Sequence, residues 1–170
     1  MNTTQSPART PGQSATISYP SDTELVITRE FNAPRTLVLD AITKPEHVRE
    51  WYGMSEDGMK VCEIDFRVGG KWRFVTKSPD GYEMGSKGLY TLIEAPERID
   101  QTEIYDDDWT GGETTMTLRL TEAAGVTTST LTITYASPDA RAGAAASPMA
   151  EGMEIGFKRL DAVLAEEQAT

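Results

Sequence analysis

The chain has 170 residues, a length that favours one domain with a full hydrophobic core. Its formal charge of −11 argues against a nucleic-acid partner, because such binding draws on counterion release by Lys and Arg. Cys62 and His47 are single, which excludes an intramolecular disulfide and a Cys/His metal cluster and leaves His47 as the only base for a triad. Residues 1–21 are low in apolar residues and carry Pro7, Pro11 and Pro20, so a flexible N-terminal tail is expected before a single domain over 22–168. The tail lacks the apolar stretch of a signal peptide, and no run approaches the length of a membrane span. A cytoplasmic protein without a membrane partner is the resulting expectation.

Glu24 to Phe31 reads as the first strand, with Leu25, Ile27 and Phe31 on one face. Asn32-Ala33-Pro34 ends it and opens a short helix, Arg35 to Ile42. Thr43-Lys44-Pro45 restarts the chain as a second short helix through Trp51, with Thr43 as its expected cap and Pro45 at an early helical position. Strands follow: Met59 to Phe66, then a Gly69-Gly70 turn and Lys71 to Val75. After Asp80-Gly81 comes Tyr82 to Glu94, where Gly85 and Gly88 mark expected bends or bulges. Ile99 to Tyr105, Thr114 to Thr121 and Val126 to Ala136 complete the series, and Ser137 to Ala146 reads as a Pro/Ala/Gly linker. Short connections make the strands an antiparallel meander.

The last segment is the one long helix, Pro148 to Glu167. Ser147 suits its N-cap, Pro148 its first position, and Glu151 the positive end of its dipole. Met149, Met153, Gly156, Phe157, Leu160, Val163 and Leu164 recur at three- and four-residue steps and form one apolar stripe. Only a sheet is available to cover that stripe, so the expected class is α+β, with a curved antiparallel sheet of six or seven strands around the helix. Gly156, on the stripe, is expected to permit close approach to the sheet or to leave room beside Met153 and Phe157.

Several phrases in this order resemble the START-like, or Bet v 1-like (SRPBCC), helix-grip superfamily. They are Arg29-Glu30-Phe31-Asn32-Ala33-Pro34, Ala41-Ile42-Thr43-Lys44-Pro45-Glu46, Glu50-Trp51-Tyr52, and Asp65-Phe66-Arg67-Val68-Gly69-Gly70-Lys71-Trp72-Arg73-Phe74. Gly88-Leu89-Tyr90-Thr91-Leu92-Ile93-Glu94-Ala95-Pro96-Glu97-Arg98-Ile99 and the closing helix complete the match, which runs from about Thr23 to Glu167. The closer resemblance is to the branch named after the C-terminal domain of the activator of the Hsp90 ATPase. It implies a cavity between sheet and last helix that takes apolar or amphipathic small molecules. For the eukaryotic members it also implies an Hsp90-type chaperone partner, there with a separate N-terminal domain.

Trp51, Trp72, Phe74, Met84, Tyr90, Met116, Tyr135, Met153 and Phe157 are the expected lining of such a cavity, against the plainer alternative that they fill a core. Tyr90, Tyr105 and Tyr135 could orient a polar ligand group by their hydroxyls. Arg29, Glu63, Arg73 and Glu103 lie within strands and are expected on the solvated face. A pocket-facing arginine would instead fork onto a ligand carboxylate. His47 has no nucleophile or orienting partner beside it in sequence and reads as an exposed, neutral position. Asp106-Asp107-Asp108 lacks the spaced acids and central glycine of a calcium loop and reads as a solvated turn. Cys62 has no evident basic partner and reads as inert.

No catalytic constellation, metal site or cofactor motif emerges. The leading expectation is a binding protein for a small apolar or amphipathic molecule. An enzyme of the cyclase or hydrolase type would require a buried ionisable group with a displaced pKa facing the cavity. An interaction module, chaperone-associated or a homodimer, would require an apolar surface patch near Trp51-Tyr52 and Trp109.

Overall fold

A broad alternation of apolar and polar residues, broken at a few positions, holds the middle of the chain extended, and short turns fold it back on itself. The computed structural model describes residues 14–53 and 59–169. Its strands are β1 (Thr16–Ser18), β2 (Glu24–Phe31), β3 (Met59–Ile64), β4 (Lys71–Lys77), β5 (Glu83–Glu94), β6 (Arg98–Tyr105), β7 (Thr114–Ala123) and β8 (Val126–Thr134). They form one curved antiparallel sheet in the order β1-β2-β8-β7-β6-β5-β4-β3. From β3 to β8 the order is a meander, and β2 closes beside β8 with Leu25 opposite Ile133 and Ile27 opposite Leu131. The sheet has one strand more than the upper expectation. The extra one, β1, comes from the segment read as tail: Ile17 pairs with Ile27 at the edge of the sheet. Residues 1–13 of that expected tail lie outside the described residues.

Two short helices, α1 (Arg35–Thr43) and α2 (Pro45–Trp51), follow β2 as expected. Thr43 does not cap the second. Its hydroxyl donates to the Leu39 carbonyl at 2.7 Å, closing α1, and Lys44 holds the N-cap position of α2. The expected linker is a helix, α3 (Pro138–Ala146). The Ser137 hydroxyl accepts from the Ala140 N–H, Pro138 occupies the first turn, Asp139 faces the positive end of the dipole, and Ala140 and Ala144 are buried. Ser147 then joins two helices, donating to the Ala144 carbonyl at 2.6 Å and accepting from the Met149 N–H at 3.4 Å.

The long helix α4 (Met149–Ala169) lies over the concave face. Leu160 and Leu164 pack with Phe31, Val38, Ala41 and Leu120, and the Phe31 and Phe157 rings meet edge to face at 5.8 Å. Toward its N-terminus, Met149, Met153 and Phe157 are only partly buried. Gly156 serves the neighbouring helix rather than the sheet: a Cβ there would lie 3.4 Å from the Trp51 carbonyl oxygen and 3.6 Å from the Trp51 ring. The expected bulges at Gly85 and Gly88 are absent, and the β5–β6 register shifts between Tyr90 and Leu92 instead. Gly88 is needed for closeness, since a Cβ would stand 1.8 Å from the Thr102 carbonyl oxygen and 2.8 Å from Trp72 Nε1.

Backbone cannot yield there as a flexible side chain would. Gly88→Ala is therefore expected to cost about 2 kcal/mol or more, as overpacked cores do. A urea midpoint unchanged from the parent would show that β5 and β6 are not so closely apposed.

Candidate ligand cavity

The N-terminal half of α4 stands off the sheet and leaves a cavity of about 650 Å³. Side chains one residue apart point to opposite faces of a strand, so alternate positions supply the lining. From β6 these are Ile99, Gln101, Glu103 and Tyr105, from β7 Thr114, Met116 and Leu118, and from β8 Ser129, Leu131 and Ile133. Phe74 and Thr76 come from β4 and Met84 and Tyr90 from β5, while α4 closes the space with Met153, Phe157 and Leu160. Tyr82, 53% exposed, and Trp109, 39% exposed, belong to the lining too, so with Asp107 and Pro148 they mark the mouth.

Eight of the nine aromatic and methionine positions expected at the cavity line it: Trp51, Phe74, Met84, Tyr90, Met116, Tyr135, Met153 and Phe157. Trp72 does not. It is 2% exposed, packed with Tyr90 and Ile99 behind the cavity wall, and fills core. Trp51 and Tyr52, where an interaction module would need an apolar surface patch, are half-buried and turned inward. The Trp51 indole N–H donates to the Ala41 carbonyl at 2.9 Å, which fixes α2 against α1.

Two of the four strand charges depart from the solvated face. Arg29 shares the inward parity of Leu25, Ile27 and Phe31, and its side chain is 1% exposed. Its guanidinium forks onto Asp161 of α4, Nη1 to Oδ1 at 2.7 Å and Nη2 to Oδ2 at 2.8 Å, with Glu154 Oε1 at 3.6 Å. The rings of Phe31 and Phe157 flank it at 4.9 and 5.4 Å. The fork expected for a ligand carboxylate is thus taken by the protein's own helix. Glu103 is the second departure, 9% exposed and facing the cavity. Burial pushes its pKa up from 4.5 to about 7, against a hydrogen bond from Tyr105 that favours the carboxylate. Burial, with the charge of Glu103 adding to it, also raises the hydroxyls of Tyr52, Tyr105 and Tyr135, the last to about 12. All three stay protonated and able to donate at neutral pH. Glu63 and Arg73 keep to the outer face, where Arg73 forks onto Asp106.

His47 is half-buried on α2, 3.8 Å from Glu167, and does not reach the cavity. The three consecutive aspartates point to different partners. Asp106 pairs with Arg73, Asp107 accepts from the Tyr82 hydroxyl, and Asp108 accepts from the Gly112 N–H. Cys62 is buried beside Val48 and Met59, and burial raises its thiol pKa.

The family model described as Activator of Hsp90 ATPase homolog 1-like protein matches residues 32–165. The chain belongs to this family. A crystal structure of a Rhodobacter sphaeroides protein is similar, at 35% identity and TM-score 0.84, covering 91% of this chain and 99% of that one. Protein Ms6760 of Mycobacterium smegmatis is 25% identical with TM-score 0.78, over 88% of this chain and 96% of that one. CalU16 of Micromonospora echinospora, 19% identical with TM-score 0.60 over 92% of this chain and 90% of that one, shares the fold. No curated protein matches.

Two outcomes follow from the buried charges. Between pH 4.5 and about 7 the unfolded chain ionises Glu103 while the folded chain keeps its proton, so this group's contribution to stability falls across that window and is constant above it. Glu103→Gln removes the fall: its urea-derived stability relative to the parent is expected to improve by roughly 2–3 kcal/mol from pH 4.5 to 8. Parallel curves would place Glu103 in water. Asp161→Ala removes the forked partner of a buried guanidinium, leaving Glu154 at 3.6 Å, and is expected to cost up to about 3 kcal/mol by the same measurement.

Proposed function

We propose that this member of the family binds a small apolar or amphipathic molecule in the cavity between the sheet and α4. The observation that carries the reading is the cavity itself: about 650 Å³, walled mainly by Met, Leu, Ile and aromatic side chains with few polar groups. That size and lining fit small-molecule sites, which are concave, largely apolar and marked by a small number of polar anchors. Methionines at 84, 116 and 153 suit a ligand whose shape varies, since an unbranched thioether chain adapts to its neighbour.

A catalytic reading has one observation in its favour. Glu103 supplies the buried ionisable group, with a pKa near 7, that proton transfer to a bound ligand would use. The two readings differ in what becomes of the ligand. Material extracted from the protein and returned to fresh protein keeps its mass and chromatographic retention on the binding reading and changes on the catalytic one. The chaperone-associated role rests on the family's description alone.

Titration with the neutral apolar fluorophore N-phenyl-1-naphthylamine is expected to saturate at one molecule per chain. Leu131→Trp and Met153→Trp, each placing an indole in the cavity, are expected to weaken it at least tenfold with the circular dichroism spectrum retained. Absence of saturable binding, or binding indifferent to both substitutions, would overturn the proposal.

A further inference from the structure

The charge inside the cavity is unevenly placed. Arg29 is the only basic residue of the described lining, and it is engaged by Asp161 and Glu154. Strand registers put it far from Glu103. Arg29 stands opposite Ser129, and Ser129 opposite Leu120. The Leu120 N–H bonds the Glu97 carbonyl, whereas Glu103 stands opposite Thr114. Six residues of β6 separate the two rows, about 20 Å of strand.

At the Glu103 end the neighbours are neutral. The nearby Tyr105 hydroxyl favours the ionised carboxyl, and Thr114 Oγ1 donates to the Glu103 backbone carbonyl at 3.4 Å. Tyr52 and Tyr135 stand near enough for the carboxylate to add to the rise of their hydroxyl pKa values that burial causes. Among the described residues Glu103 forms no ion pair with Lys, Arg or His, and the other acid of the lining, Asp107, sits at the mouth. The Tyr105 ring lies 5.1 Å from the Trp109 ring, and both line the space beside the carboxyl. A buried carboxyl with aromatic faces around it and no internal cation matches the chemistry of an ammonium group, which gains from both. The formal charge of −11 acts the same way, drawing cations to the mouth and repelling fatty-acid carboxylates.

Resting on the binding function proposed above, we infer that the cavity selects a lipophilic amine, seating its ammonium against Glu103 among Tyr52, Tyr105 and Trp109 and its apolar body along Met116, Leu131 and Met153. Amines of this kind keep their proton to about pH 10. Glu103 must be ionised to pair with them, so binding below the carboxyl's own pKa releases a proton. Affinity therefore falls as pH drops below about 7, approaching tenfold per pH unit.

Calorimetric titration of the full chain with decylamine, decanol and decanoate, each below its micelle concentration and in 0.15 M salt, tests this. At pH 8 decylamine is expected to bind at least tenfold more tightly than decanol, with decanoate weakest. Lowering the pH to 6 is expected to shrink the decylamine-to-decanol ratio about tenfold. Glu103→Gln is expected to bring that ratio to about one, whereas Glu166→Gln, which removes the same charge from the exposed end of α4, preserves it. Equal affinities for the three compounds, or a ratio unchanged in Glu103→Gln, would overturn the amine assignment while leaving the cavity function standing on the decanol binding. Failure of all three to bind would remove both.

Discussion

A single helix has to cover the concave face of an eight-stranded sheet, and the rest of the structure follows from that mismatch. The helix α4 spans about 30 Å and has one apolar stripe, so it can close against the sheet only over part of its length. Its C-terminal half does so. Leu160 and Leu164 meet Phe31, Val38, Ala41 and Leu120, and α1 and α2 fill the flank. Its N-terminal half does so only in part, with Met149, Met153 and Phe157 partly buried against Ile27, Ile133 and Tyr135, and the space left there is the cavity. Gly156 faces Trp51 at the junction between the two halves, where a Cβ would come into van der Waals contact with the Trp51 carbonyl and ring.

Two buried charges divide that space by function. Arg29 ties β2 to α4 through Asp161 and Glu154 with aromatic rings on either side, a pairing satisfied within the protein and therefore structural. Glu103 lies among tyrosines and, among the described residues, forms no ion pair, so burial disfavours its ionised state. A carboxyl placed this way reduces the stability of the unliganded protein at neutral pH, and a ligand that completes the pair reverses that loss. Such residues are common at functional sites for this reason.

Much of the architecture was legible from local chemistry. Alternation located β2 through β8, the Thr-Lys-Pro break separated α1 from α2, and the three-and-four stripe located α4 with its buried face. What escaped had non-local or low-contrast causes. The helix α3 is mostly alanine and glycine and has little apolar contrast between its faces, yet Ser137-Pro138-Asp139 carries the same starting signals as Ser147-Pro148. The burial of Arg29 depends on Asp161, 132 residues away, and spacing along β2 carries no trace of that partner. Glu103 was more accessible: Ile99 fixes the inward parity of β6, and Gln101, Glu103 and Tyr105 follow it. The general rarity of buried charges hides Glu103 when that parity is not read. Trp72 is the converse, a bulky aromatic of inward parity that Gly88 lets sink behind the wall.

The most direct test of this account is the titration of the Glu103 side-chain carboxyl by carbon-13 NMR, assigned with Glu103→Gln. A buried carboxyl with no ion pair among the described residues predicts one glutamate titrating near pH 7, well above the ordinary 4.5. Titration of every glutamate between about pH 4 and 5, the range of solvated side chains, would contradict the account.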